Sequence, residues 1–252
     1  MRVFPSLLLA VALLAPATAL AGQREDFIAG VTKDCPGCDL SGLSFKRQDL
    51  SNVNLAGANL TATTFHDTKL MGANLSGADL TEANLNRADL TRANLHGANL
   101  TGALLYASRL QLTDLSNATL DHARLQTSLM TRVNLANASL LDTDLRKVSL
   151  SEGVLVGANL TDAWLEEANA RAADFRGANL TRASLGGTIY TDANFEGATM
   201  VDVNALLGDF RDANLNKTDL ARASFYRADL TGTTFVGAKY DGTEMPDGTK
   251  LP

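Results

Sequence analysis

The chain has 252 residues, a formal net charge of −6 and 45% hydrophobic residues, which leaves room for one mature domain. No segment after the N-terminal stretch is apolar enough to be a membrane helix, so a membrane-spanning protein is excluded, and we predict no nucleic-acid partner.

Residues 1–21 are predicted to be a secretory signal peptide. Arg2 precedes an apolar run from Leu7 to Leu14, and Ala19-Leu20-Ala21 forms a small-x-small cleavage site. Cleavage after Ala21 removes one charge, which makes the mature net charge −7, and exposes Gly22 rather than a cysteine, which argues against a lipid anchor. We therefore predict an exported protein, periplasmic or secreted, in an oxidising space.

Residues 22–38 are predicted to form an N-terminal cap. If residues 22–34 are helical, Phe27, Ile28 and Val31 share one face and form a lid. The cap ends in Cys35-Pro36-Gly37-Cys38, a CxxC motif compatible with a structural disulfide, a free thiol pair or a redox site. The predicted export to an oxidising compartment, the Pro-Gly turn and the following repeat favour a structural disulfide between Cys35 and Cys38. Haem attachment is excluded because residue 39 is Asp and not His.

Residues 39–241 repeat with a period of five. Every fifth residue from Leu40 to Tyr240 is large and apolar except Ala170 and Ala205, and the residue two places earlier is nearly always small. This period matches neither a strand nor a helix and indicates a short unit stacked on copies of itself.

The unit reads A(N/D)LXX, as in Ala78-Asp79-Leu80-Thr81-Glu82, and closely resembles the pentapeptide-repeat family. The resemblance implies a right-handed quadrilateral β-helix, an all-β solenoid of about ten coils with four pentads in each. It also implies that the central residue and the preceding small residue point inward. A column of glycine and asparagine every 20 residues, broken only by Lys217, supports this coil and predicts a type II turn at one corner (Gly57, Gly77, Gly97, Asn117, Asn137, Gly157, Gly177, Gly197 and Gly237).

Ala170 and Ala205 are the weak layers of the predicted core. We expect the run around Ala205 to bulge, so that a neighbouring leucine turns inward. Residues 242–252 depart from the repeat and are predicted to close the C-terminal end, because solenoid ends expose apolar layers and unpaired backbone.

The outward residues divide among four faces, named by their central residues. The first face (Leu40, Leu60 and onward) has a net charge of −6, and the second (Phe45, Phe65 and onward) has +3, whereas the third (Leu50 and onward) and the fourth (Leu55 and onward) have about −1 each. The three outward aromatic residues of the repeat also fall on the second face. Because aromatic residues and arginine favour interfaces, this face is predicted to bind a protein partner or a second copy of the chain (Leu104, Tyr106, Trp164, Leu206, Leu207, Tyr226, Arg124 and Arg146).

No catalytic constellation or phosphate loop is present in the sequence, and no cofactor is predicted. His66, His96 and His122 fall on three different faces, so no zinc site is predicted. The sequence therefore favours a non-catalytic scaffold or protein-binding module of the cell envelope.

Two alternatives remain. Some members of the family mimic DNA and act on DNA gyrase. A mimic about 50 Å long needs on the order of 30 negative charges, far more than the acidic face carries. The other alternative is an enzyme of disulfide exchange that uses the CxxC motif.

Overall fold

The computed structural model describes the backbone of residues 17–252 and the side chains of residues 22–252, so the predicted signal peptide lies largely outside the described residues. Helix α1 comprises Ala17–Ile28 and runs across the predicted cleavage site after Ala21. Strands β1 (Thr243–Glu244) and β2 (Lys250–Leu251) form an antiparallel pair near the C-terminus. In the part of the chain that is described, no helix is long and apolar enough to cross a membrane.

The repeats are joined by parallel bridges between residues 20 apart. Bridges run without interruption from Asp34↔Asn54 to Ser224↔Glu244, one in each pentad. They use two kinds of backbone hydrogen bond, as where Leu60 N donates to Asp79 O at 2.7 Å and Asp79 N donates to Ala58 O at 2.9 Å. Because residues 20 apart pair and one bridge recurs every five residues, the chain forms four parallel ladders, one on each face of a β-helix.

The core is a stack of inward side chains. From Leu55 to Phe225 every central residue is fully buried. The small residue two places earlier is buried as well, and where it is threonine its hydroxyl donates to a backbone carbonyl, which belongs to the preceding coil except at Thr218, where it is Leu215 O. Thr63 Oγ1, for example, donates to Leu40 O at 2.9 Å. This bond satisfies the hydroxyl, so a polar residue is accommodated in an apolar interior.

The asparagine or aspartate before each central residue caps the following turn. Asn59 Oδ1 accepts a hydrogen bond from Thr61 N at 3.1 Å, and Asp79 Oδ1 accepts one from Thr81 N at 3.0 Å and one from the Thr81 hydroxyl at 2.6 Å. The amide of Asn59 also donates to Asp39 Oδ1 of the preceding coil at 3.0 Å. These bonds explain the A(N/D)LT pattern without any catalytic role for its polar residues.

All four corners use the same turn. Every fifth residue from Gly37 to Gly242 has a positive φ, and 28 of these residues are not glycine. A β-turn in which only the third of the four residues has a positive φ is a type II turn. The predicted corner therefore has this geometry, but it is not special, and Lys217, with φ 58°, follows the same path as its glycine neighbours.

The prediction of a bulge at Ala205 is wrong. Ala170 and Ala205 are both fully buried, the bridges on either side continue, and Leu206 and Leu207 stay exposed. Aromatic rings fill the surrounding layers. The Tyr190 ring stacks on Phe210 with ring centroids 4.8 Å apart, and it packs edge-on against its other aromatic neighbours, Phe175 and Phe195.

The N-terminal end is partly covered by α1. Phe27 is buried and packs edge-on against Phe45 with ring centroids 5.6 Å apart, and Arg24 Nε donates to Asp39 O of the first coil at 2.7 Å. The prediction that Ile28 and Val31 join Phe27 in a lid is wrong. Ile28 is 48% exposed and Val31 is 76% exposed, because α1 ends at Ile28 and the chain turns at residues 29–30.

Cys35 and Cys38 are both buried in the first coil. Their sulfur atoms lie at bonding distance, with Cα atoms 5.4 Å apart. At the other end, Glu244 of β1 still pairs with Ser224, and the last central residues, Leu230, Phe235 and Tyr240, are only half-buried.

Substitution of Gly208 tests how tightly the aromatic layers pack. A Cβ at this position would lie 2.7 Å from a ring carbon of Phe210 and 3.2 Å from Ala205 O. We expect Gly208→Ala to lower the free energy of unfolding by about 1–3 kcal/mol, because overpacking forces the ring to shift. Urea unfolding followed by circular dichroism measures the change.

Gly186→Ala is the matched control, since its nearest neighbour, Leu206 O, would lie at 3.5 Å, which is ordinary contact. Equal losses of stability in the two variants would contradict the packing argument.

Candidate functional site

The second face is a continuous ladder whose bridged residues follow one another coil by coil. Leu104 pairs with Arg124, Arg124 with Asp144, and Asp144 with Trp164, and the ladder continues through Ser184, Asn204 and Ser224. Residues of this face that are distant in sequence are therefore neighbours along the axis of the β-helix.

The structure divides the predicted binding residues into three places. Arg124, Arg146 and Trp164 lie together in the middle of the second face, and Leu104, next to Arg124, is half-buried rather than exposed. Leu206, Leu207 and Tyr226 lie on two adjacent coils further along. Tyr106, 52% exposed, lies at the corner with the third face.

The middle of the second face contains a fixed set of polar and aromatic side chains. Arg146 donates to the carboxylate of Asp144 from Nε at 2.9 Å and from Nη2 at 2.5 Å, and Gln126 Nε2 donates to the same carboxylate. The guanidinium carbon of Arg146 lies 5.1 Å from the centre of the Trp164 ring. Asp144 therefore holds Arg146 against the aromatic ring, an arrangement that favours a cation–π interaction.

Asp144 is a buried carboxylate, although its neighbours in the ladder are exposed. It is 7% exposed. Burial raises the pKa of this carboxyl, but hydrogen bonds from the side chain and the backbone of Arg146, together with its charge, outweigh burial, so the pKa lies below its ordinary value. The same pair raises the pKa of Arg146. Both groups are thus charged at neutral pH. The repeat spacing places Asp144 at an outward position and gives no sign of its burial or of its supporting role.

A shallow groove of about 360 Å³ runs beside this set, along the corner between the first and second faces. His122 and Asp142 line its first-face side, with His122 Nδ1 3.1 Å from Asp142 Oδ2. Arg124, Arg146 and Trp164 line its second-face side. The groove thus combines an aromatic surface with two arginines.

A second groove, of about 510 Å³, lies where Tyr106 meets the third face. Its charged side chains alternate in sign, and Arg87 Nε lies 2.8 Å from Asp67 Oδ1. The groove is therefore polar, with Tyr106 as its aromatic component. In the C-terminal group, the guanidinium carbon of Arg227 lies 5.2 Å from the centre of the Tyr226 ring.

Exposed apolar side chains are not restricted to the second face. The third face exposes four of them, each 40–42% accessible, and none of the four is among the predicted binding residues (Met71, Leu112, Leu129 and Ile189). The outward positions of these residues in the repeat were a signal that could have identified them. Arginines lie beside them as well, since Leu129 is bridged to Arg109 and Ile189 shares a groove with Arg171 and Arg211. These four residues are aliphatic, however, and provide no aromatic ring such as that of Trp164.

Two ion pairs between coils neutralise part of the acidic first face. Arg182 binds the carboxylate of Asp162 and Arg222 that of Asp202, with shortest distances of 2.6 Å and 2.7 Å. Hydrogen bonds from these arginines lower the pKa of each carboxyl. Among the described residues no cluster of three or more His, Cys, Asp and Glu side chains could hold a metal ion.

These features define a parallel β-helix that carries exposed aromatic and arginine side chains on one lateral face. Comparisons with known proteins give its family. The model of pentapeptide repeats matches residues 38–77, 68–105, 108–152, 154–189, 178–205 and 209–239, as eight copies. The chain belongs to the pentapeptide-repeat family, as its A(N/D)LXX unit predicted. No curated protein sequence matches it significantly.

Several solved structures are similar to this chain. HetL, a pentapeptide repeat protein involved in heterocyst differentiation regulation in the cyanobacterium Nostoc, is 29% identical, and the match covers 91% of this chain and 98% of HetL with a TM-score of 0.75. The plasmid-mediated fluoroquinolone resistance protein QnrB1 is 17% identical over 78% of this chain and 89% of its own, with a TM-score of 0.40.

A pentapeptide repeat protein of the Arabidopsis thaliana thylakoid lumen is 32% identical over 41% of this chain and 70% of its own, with a TM-score of 0.23. Family membership and the likeness to HetL give the fold as a right-handed β-helix, which confirms that prediction.

Asp144→Asn tests whether the buried carboxylate organises the second face. The lowered pKa of Asp144 means that the folded protein favours the charged carboxylate more than the unfolded chain does. The ionised carboxylate therefore stabilises the folded protein at pH values above the ordinary pKa of 3.8. This stabilisation is lost as the pH falls through the lower pKa of the folded state. At pH 7 we expect the free energy of unfolding of the variant to be about 1–3 kcal/mol lower than that of the wild type, because Arg146 loses its anionic partner.

Asp192→Asn is the control, since Asp192 is exposed and faces Arg171 at 3.4 Å, and no measurable change is expected. Urea unfolding at pH 7 and at pH 3 measures both variants. A difference between wild type and Asp144→Asn that does not shrink at the lower pH would contradict this assignment.

Proposed function

We propose that this chain is a non-catalytic, exported binding module or scaffold of the cell envelope, and that its second face contacts a protein partner or a second copy of the chain. The observation that carries the proposal is the Asp144–Arg146–Trp164 arrangement. A tryptophan 46% exposed to solvent, with an arginine held over its ring by a buried carboxylate, joins the two residue types that are most enriched in binding hot spots.

The fold supports a scaffold. In this proposal about ten coils form a rigid rod, because each coil is bonded to its neighbours along four ladders. Helix α1 caps the N-terminal end through Phe27, and a Cys35–Cys38 disulfide closes the first coil, as suits an oxidising compartment such as the periplasm. Signal-peptide cleavage after Ala21 leaves Gly22–Ile28 of the helix in place.

The likeness to HetL agrees with this proposal. That protein is involved in a regulatory process, which is a role that a binding protein can fulfil without chemistry of its own. The described residues form no metal-binding cluster, and their polar side chains mostly cap turns or pair between coils.

Affinity capture tests the second face. We expect the Trp164→Ser, Tyr106→Ser double variant to lose captured envelope proteins, or self-association, because two exposed aromatic anchors are removed. The matched control is Leu129→Ser, Ile189→Ser, which removes two side chains of 41% exposure from the third face. Mass spectrometry of the captured proteins and light scattering measure the two outcomes. Equal capture by wild type and both variants would remove the proposal.

DNA gyrase provides a separate test of the alternative function. We expect the protein at micromolar concentration to leave gyrase supercoiling unchanged. The acidic face carries far fewer charges than a DNA mimic of this length needs, and arginines from neighbouring coils pair with two of its carboxylates. An agarose-gel supercoiling assay measures the effect, and concentration-dependent inhibition or protection would favour the DNA-mimic alternative instead.

A further inference from the structure

The groove beside Trp164 differs from the other lateral grooves in how its arginines are engaged. In the grooves that Tyr106 and Ile189 line, each lining arginine has a guanidinium nitrogen 2.6–3.9 Å from a carboxylate oxygen (Arg87, Arg109, Arg171 and Arg211). In the groove of about 360 Å³ that Trp164 lines, Arg146 is bound to Asp144. Arg124 is exposed there and forms neither an ion pair nor a side-chain hydrogen bond with any residue that the structure describes. We name this the Trp164 groove.

The carboxylates of the Trp164 groove are already engaged. Asp144 is 7% exposed and accepts hydrogen bonds from two side chains. Asp142 Oδ2 lies 3.1 Å from His122 Nδ1. An arginine side chain carries five N–H donors, and the Nη1 group of Arg146 takes no part in the bonds to Asp144. The two arginines of the groove therefore keep unused donors, which favour a ligand with oxygen acceptors and a negative charge.

The charge of the lining limits the charge of the ligand. Two arginines and two aspartates line the groove, so their formal charges balance, and the surplus of positive charge is local, at Arg124. The pKa of Arg146 is raised by its bonds to Asp144 and, in addition, by the negative charge of Glu166. A carboxylate brings one negative charge and two oxygen atoms that match a planar guanidinium. A phosphate dianion would bring a second negative charge toward these acids, so the lining favours a carboxylate.

Trp164 adds an apolar surface next to these donors. Its side chain is 46% exposed, although the guanidinium carbon of Arg146 lies 5.1 Å from the ring centre. Covering an exposed indole ring removes a large apolar area from water. A free carboxylate ion would leave this ring uncovered, whereas a peptide that carries the carboxylate can also bring an apolar neighbour. The groove thus fits an acidic peptide segment better than a small anion.

We propose that the Trp164 groove binds an acidic side chain presented by a protein partner. The carboxylate accepts hydrogen bonds from Arg124, with Nη1 of Arg146 as a second donor, and an apolar residue beside the acid covers the exposed part of Trp164. This inference rests on the proposed function of the second face and specifies the chemistry of its partner.

Intrinsic fluorescence reports on the groove, because Trp164 is the single tryptophan of the chain. The full chain is titrated at low, constant ionic strength with the blocked peptide acetyl-Gly-Leu-Asp-Leu-Gly-amide and with the same peptide containing asparagine, which keeps the shape of aspartate without its charge. We expect a saturable change with the aspartate peptide and roughly tenfold weaker binding of the asparagine peptide, because a hydrogen bond to a charged group is lost. Equal binding of the two peptides, or no saturable change, overturns the inference.

Two arginine variants locate the bound carboxylate. Arg124→Gln is expected to weaken binding of the aspartate peptide roughly tenfold and to leave binding of the asparagine peptide unchanged, since only the charged contact is removed. Arg92→Gln is the matched control and is expected to bind as wild type does, because Arg92 is also exposed and without an ion pair among the described residues but does not line the Trp164 groove. Circular dichroism and urea midpoints establish that both variants are folded. Unchanged affinity of Arg124→Gln for the aspartate peptide, or an equal loss in Arg92→Gln, rejects the assignment.

Inorganic phosphate distinguishes an acidic-peptide site from a general anion site. We expect it to leave the aspartate peptide bound, because the lining favours a single negative charge. Displacement of the peptide by phosphate, at concentrations where chloride of equal ionic strength has no effect, would show a general anion site and reject the peptide as the occupant.

The proposed function and this inference fail separately. If partner capture is lost in the Trp164→Ser, Tyr106→Ser variant but retained in Arg124→Gln, the second face binds a partner and the acidic contact is rejected. If capture is lost in both and the aspartate peptide competes for the captured partner, the acidic contact is supported.

Discussion

Parallel pairing of each residue with the one 20 positions later is the constraint on which the rest of this molecule depends. It places identical repeat positions above one another, so that central residues such as Leu80 and Leu100 form a continuous apolar stack. The same pairing fixes which outward side chains become neighbours. Arg124, Asp144 and Trp164 lie together only because the ladder brings successive coils into contact. The core and the candidate site are thus two results of one backbone pattern.

That pattern is costly at the corners. A left-handed conformation costs an ordinary residue about 1–2 kcal/mol, yet residues such as Leu112 and Thr127 adopt it at positions where glycine would be relaxed. Turn capping by the preceding Asn or Asp, ladder hydrogen bonds and burial of the central residue offset this cost in each pentad. Stability therefore accumulates from many small, equivalent contributions, as in other solenoids.

Much of the architecture could be predicted from sequence, because the period-five spacing from Leu40 to Tyr240 directly reflects the backbone repeat. The assignment of residues to faces follows from the same arithmetic. What could not be predicted depends on individual side chains. The aromatic layers around Ala205 remove any need for a bulge, and the chain turns after Ile28, which leaves Val31 in water. The burial of Asp144 beneath Arg146 likewise depends on local geometry that spacing alone does not contain.

The four-ladder arrangement has a consequence for how such a chain can change length. Insertion of a single pentad after Ala107 would rotate all later residues by one face, moving Trp164 away from the side that carries Tyr106. Only the gain or loss of a whole coil keeps both aromatic residues on the same side. A lineage that depends on this surface is therefore expected to vary in multiples of four repeats, whereas one that uses only the rod is free to vary in single repeats.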